Sequence, residues 1–131
     1  MSFQEYEKKV QSLNLQEMSN IHQMILDAIN NDNDAKELYN ELMEISVEYA
    51  NIRAKWLLMS NQEKMNQDSL RTAYHNSMIV HLNMLARLLK KNNKNTQWRD
   101  ILGYEEDNSY NRKRMGDFAC YLAFINALLA R

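Results

Sequence analysis

Proline is absent from this 131-residue chain, and glycine occurs only at Gly103 and Gly116. Two glycines cannot write a Gly-Xaa-Gly-Xaa-Xaa-Gly dinucleotide fingerprint. Nor is there a glycine-rich phosphate loop or a Gly-Xaa-Ser-Xaa-Gly nucleophile elbow, which use glycine where the backbone turns sharply or touches a ligand. The single cysteine, Cys120, can form neither an internal disulfide nor a cysteine-rich zinc site. No apolar run reaches the roughly 20 residues that span a bilayer; the longest, Phe118 to Ala130, is broken by Asn126. The opening Met1-Ser2-Phe3-Gln4-Glu5 lacks the basic and then apolar pattern of a secretory signal. These absences lead to the expectation of a cytoplasmic protein with no membrane partner and no cofactor.

What is present is helical and compact. The 45% hydrophobic and 25% charged fractions are those of an ordinary globular chain rather than a disordered one. The length suits one domain over residues 1–131, large enough to do without a disulfide or metal staple. Apolar residues recur at alternating steps of three and four. One seam is Ala35, Leu38, Leu42, Ile45, Tyr49, Ile52, Trp56 and Met59; a second is Leu70, Tyr74, Ser77, His81, Met84 and Leu88; a third is Met115, Phe118, Leu122, Ile125 and Leu129. That spacing belongs to helices packed lengthwise against a neighbour.

The punctuation agrees. Ser2 with Glu5, and Asn14 with Glu17, read as capping boxes opening two short N-terminal helices. Asp34 is placed to cap the third helix, Ser60 to Gln67 to hold the next turn, Thr96 to cap a short helix ended by Gly103, and Ser109 to begin the last helix. On that last helix Gly116, Ala119, Ala123, Ala127 and Ala130 form a small-residue face, and apolar residues cover most of the circumference. Such a helix is expected near the centre of a bundle; the alternative is an apolar surface awaiting a partner or a second copy. The fold expected is an all-α bundle of about five helices, with two long helices in an antiparallel hairpin and a mostly buried C-terminal helix.

Charge is unevenly distributed. Residues 1–66 hold eleven acidic and six basic side chains, whereas residues 67–131 hold six acidic and ten basic. Glu37, Glu41, Glu44 and Glu48 form one acidic stripe, whose like charges repel at this spacing. A hairpin turning near Glu63 would set Glu37 and Glu41 against Arg87, Lys90 and Lys91; otherwise the stripe offers a docking surface to a basic partner. Arg87, Lys90, Lys91, Lys94 and Arg99, near Trp98, Tyr104 and Tyr110, invite a nucleic-acid reading. The near-neutral net charge of −1 and the fanning of Arg112, Lys113 and Arg114 around their helix argue against it.

Candidate chemistry is sparse. No histidine stands at metal-ligand spacing from another, so no metal site is expected. His81, in the middle of the second seam, needs a partner, and an antiparallel return would bring Asp117 to it as a buried polar pair. Cys120 reads as a small core residue. Arg71 and His75, four apart on one ridge, could bind an anion, as could Arg112 and Arg114; the plainer role for Arg71 is to cover Trp56 or pair with a carboxylate. Arg71 and His75 also fall one residue short of the Arg-to-His spacing of the helical ribonucleases of the HEPN group.

The segments Arg71-Thr72-Ala73-Tyr74-His75-Asn76 and Arg112-Lys113-Arg114-Met115-Gly116-Asp117-Phe118-Ala119 resemble a small bacterial family of all-helical proteins, a domain of unknown function. The resemblance covers about the C-terminal half and implies a bacterial source, but no activity, substrate or catalytic residue. The function expected from the residues is a non-enzymatic module that contacts a protein partner or a second copy of itself, as a regulator or inhibitor. The alternatives are a binder of a nucleotide or other anionic ligand through Arg71, His75, Arg112 and Arg114, and an RNA-acting enzyme.

Overall fold

The structure, a computed structural model, describes residues 12–130. The first expected capping box, Ser2 with Glu5, and its helix lie outside the described residues. Among the described residues there are five α-helices and no strand: α1 (Leu15–Ile29), α2 (Asn33–Trp56), α3 (Asn61–Lys91), α4 (Trp98–Ile101) and α5 (Arg112–Leu129). The expected all-α bundle is present, with α2 and α3 forming its hairpin.

Local capping chemistry sets most helix starts. Asn14 and Glu17 close the expected capping box on α1. A second box, Ser60 with Glu63, opens α3 inside the stretch read from sequence as a turn. Asp32, not Asp34, caps α2 by accepting from the Ala35 amide. Asp34 lies in the first turn, where its charge still favours the helix dipole. Gln97 rather than Thr96 precedes α4, and Asn111 rather than Ser109 caps α5. Three of the chain's seventeen asparagines, Asn31, Asn93 and Asn108, hold positive φ in the connections, as does Gly103. Asparagine enters this left-handed region more easily than other side chains, so it serves here where many chains use glycine.

The centre of the bundle belongs to α2, which packs against α3 on one side and α5 on the other. It therefore buries two rows, with Ala35, Leu42 and Tyr49 in one and Tyr39, Met43, Ser46 and Ala50 in the next. Ser46 satisfies its hydroxyl by donating to the Leu42 carbonyl. The buried row of α3 is Met78, Leu82, Leu85 and Leu89, one position along from the expected seam, which leaves Leu70 and Met84 exposed. Both rows carry the same three–four spacing, so periodicity alone does not choose between them.

The hairpin turn comes at Leu57 to Ser60 rather than near Glu63. Glu41 consequently lies level with His81, at 3.3 Å, and not with Arg87, six positions further on. No side chain between Asn51 and Ser77 is fully buried, so this end of the hairpin runs past the core. On α5, Met115, Gly116, Phe118, Ala119 and Leu122 are buried, whereas Phe124, Leu128 and Leu129 are exposed. Cys120 is exposed as well, which overturns its reading as a core residue.

Candidate functional site

An open cavity of about 460 Å³ lies where α2 leaves the core and the first turn of α5 meets the hairpin. Tyr49, Arg53 and Trp56 reach it from a single stripe of α2, since steps of four and three keep side chains on one helical face. Leu57 follows them, Arg71 enters from α3, and Arg112 and Lys113 come from α5. Four cations thus surround an aromatic floor.

Their partners are unequal. The Arg71 guanidinium lies 4.2 Å over the Trp56 ring, and its Nη2 reaches Asp68 Oδ1 at 3.3 Å. Both plain roles expected for Arg71 are therefore realised, yet its buried Nε has no hydrogen-bond partner among the described residues. Arg53 donates through Nη2 to Asp117 Oδ1 at 3.2 Å, and its Nη1 lies 3.9 Å from the Cys120 sulfur. Asp117 Oδ2 accepts from the Leu13 amide, so this carboxylate joins α2, α5 and the approach to α1. Arg112 and Lys113 are exposed and make no ion pair among the described residues.

His75 sits beside the cavity, its ring 6.0 Å from that of Tyr49. Burial lowers its pKa below the usual 6.5, with the Asn76 amide oxygen pulling the other way and the Arg112 and Arg71 charges adding to the lowering. The ring is therefore neutral near pH 7 and carries a latent fifth positive charge.

Of the four residues expected to bind an anion, the structure gathers Arg71, His75 and Arg112. Arg114 points elsewhere and donates to the Ile101 carbonyl, because two steps along a helix turn a side chain by about 200°. The expected His81–Asp117 pair does not form. His81 donates from Nδ1 to the Ser77 carbonyl and turns Nε2 to Glu41, while Asp117 is held by Arg53 and Leu13. Glu37, Glu44 and Glu48 stay exposed without an ion pair among the described residues, so the expected match of Glu37 and Glu41 with Arg87, Lys90 and Lys91 does not form, and Glu41 meets His81 instead. Of the basic–aromatic cluster expected near the fourth loop, Trp98, Arg99 and Tyr110 are buried, which removes the stacking surface, whereas Arg87, Lys90, Lys91 and Lys94 are exposed.

Sequence reasoning missed Arg53, Trp56 and Lys113 as members of the site. The available signal was the cation at position 53, in register with Tyr49 and Trp56 on a helix read for its packing seam and its acidic stripe. A second cavity lies between α1, α2 and the end of α5, walled by Leu26, Ile29, Met43, Ile125 and Leu129. At its base His22 Nδ1 and the Tyr39 hydroxyl lie 2.6 Å apart. Burial lowers the pKa of His22 and raises that of Tyr39, so the contact joins a neutral ring and a protonated hydroxyl. Among the described residues no group of three or more His, Cys, Asp or Glu could hold a metal ion.

Gly116 controls the position of Arg53. A Cβ at this residue would stand 2.6 Å from Arg53 Nη1, and only the end of a flexible side chain would need to move. Gly116→Ala is expected to leave stability within about 1 kcal/mol, because the gain in helix propensity offsets the lost bridge. The same change should displace the guanidinium and weaken whatever the cavity binds. Chemical denaturation and ligand titration on one sample separate the two effects, and an unchanged affinity would refute this positioning role.

No protein-family model, curated protein or solved structure matches the chain.

Proposed function

We propose that this protein binds a phosphate-bearing anion in the cavity between α2, α3 and α5. The observation that carries the reading is the convergence of Arg53, Arg71, Arg112 and Lys113 around Trp56, with Asp68 and Asp117 the carboxylates that pair with them among the described residues. Guanidinium forks suit paired phosphate oxygens, and the unpartnered Arg71 Nε leaves a buried donor that an anion would satisfy. The position at the first turn of α5 adds the positive end of a helix dipole. A nucleotide fits this chemistry, with phosphates on the cations and its ring near Tyr49 and Trp56.

Thermal unfolding with millimolar ATP or pyrophosphate tests the proposal, against sodium chloride at equal ionic strength. A ligand present at a hundred times its Kd stabilises by about 2.7 kcal/mol, a shift of several degrees. Arg71→Ala and Arg112→Ala should each weaken binding by on the order of tenfold, or about 1.4 kcal/mol. A bound anion favours protonated His75 and so raises its pKa. Binding then takes up protons and strengthens as pH falls toward and below 6.5, the range in which the free ring with its lowered pKa begins to protonate, a trend that His75→Gln should flatten. No response of the melting temperature to either anion would eliminate the reading.

The interaction-module reading rests on another surface: the exposed Phe124, Leu128 and Leu129 of α5 with the uncovered stripe Glu37, Glu44 and Glu48. Sedimentation velocity of the chain alone reads its self-association arm; a monomer at all concentrations would remove that arm.

A further inference from the structure

We propose that the tip of the α2–α3 hairpin docks on an anionic lipid surface, with Leu57, Leu58 and Met65 entering the headgroup layer and neighbouring cations contacting lipid phosphates. Leu57 and Leu58 are 86% and 87% exposed, the highest values for large apolar side chains among the described residues, and Met65 is also exposed. They do not hang on a loose loop. Amides of Leu58 and Met59 donate to the carbonyls of Lys55 and Trp56, and the Ser60–Glu63 capping box closes the turn on its other side. The tip thus presents two adjacent leucines on a fixed scaffold that extends beyond the core.

The charge around this apolar tip has one dominant sign. Lys55 and Lys64 flank it without an ion pair among the described residues, and Arg112 and Lys113 lie at the adjoining cavity, which Leu57 itself lines. The nearby carboxylates are engaged, Glu63 in the capping box and Asp68 with Arg71. Apolar side chains ringed by lysine and arginine match an interface that is apolar below and negative at its surface. A second copy docked tip to tip would set these cations against their own equivalents. Two nearly fully exposed leucines gain more from a fluid apolar medium than from a groove that must be shaped to receive them. Such docking needs no spanning segment, and among the described residues no helix is long and apolar enough to cross a membrane.

The contribution of Arg112 and Lys113 rests on the cavity reading above; that of Leu58, Met65, Lys55 and Lys64 does not. The test is co-sedimentation of the full chain with phosphatidylcholine vesicles, with and without roughly one-third phosphatidylserine. Binding is expected with phosphatidylserine and not without it, and should weaken as salt rises. The double variant Leu58→Ser, Met65→Ser should lose on the order of tenfold in partitioning, and each of Lys55→Glu and Lys64→Glu at least about fivefold. Leu58, Met65 and Lys55 are exposed and Lys64 is half-buried, and an unchanged thermal unfolding profile confirms that each variant folds. Equal pelleting on uncharged vesicles, no pelleting at all, or pelleting indifferent to Leu58 and Met65 would each overturn the proposal. So would leucine-dependent self-association without lipid, or leucine-dependent binding to soluble polyglutamate. A chain that binds charged vesicles through Leu58 and Met65 but ignores pyrophosphate supports the docking and overturns only the cavity reading.

Discussion

Phe118→Ala is expected to lower the unfolding free energy by about 3–5 kcal/mol, a large share of the 5–15 kcal/mol typical of a domain. Phe118 is fully buried on the face of α5 that packs against α2, and its ring lies nearly parallel to that of Tyr121, with centroids 6.4 Å apart. Truncation removes the transfer energy of the ring and leaves a cavity that helices joined at fixed points close only in part. The melting temperature should fall by on the order of 10–20 °C. Because α5 also carries Arg112, Lys113 and Asp117, loosening its seat should blunt the response to anions as well. Phe124→Ala is the internal control, since that ring is exposed on the same helix and its loss should cost no more than about 0.5 kcal/mol. Equal urea midpoints for the two variants would contradict the packing assigned to α5.

Arg99→Ala is expected to cost about 2–4 kcal/mol, although arginine is ordinarily a surface residue. Arg99 is 6% exposed and has no carboxylate partner among the described residues. Its Nε donates to the Tyr110 hydroxyl at 3.0 Å, its Nη2 to Asn83 Oδ1 at 2.8 Å, and its guanidinium lies 3.6 Å from the centre of the Tyr104 ring. Tyr110 in turn donates to Asn83, and Asn83 donates to the Asn108 carbonyl. One side chain thus ties α3 and α4 to the connection that delivers α5.

Two effects oppose each other here. Removing a buried charge relieves its desolvation, but the charge-assisted hydrogen bonds and a desolvated cation–π contact are lost together, and their sum is larger. Burial pushes the Tyr110 hydroxyl up in pKa while Arg99 pulls it down, so the phenol remains the neutral donor that the network needs. Arg99→Lys keeps the charge but not the planar fork, and is expected to recover little of the loss in urea unfolding. Wild-type stability in the lysine variant would show that charge alone mattered.

The readable part of this protein was its local chemistry. Long helices, the Asn14–Glu17 box and the polar connections follow from hydrogen bonds and side-chain periodicities that act within a few residues. That Arg71 covers Trp56 was also legible as a plausible pairing, because both residues flank the hairpin turn. Tertiary structure decided the rest. The choice between two equally spaced rows on α3, the seating of α2 rather than α5 at the centre, and the alignment of Glu41 with His81 depend on how side-chain volumes interlock across three helices at once. Those same choices send Asp117 to Arg53 rather than His81, and bring Arg112 to Arg71 and His75 while Arg114 turns away. A sequence writes the period of each helix; the rotation and register of one helix against another are set only when the packed core selects among faces that periodicity leaves equivalent.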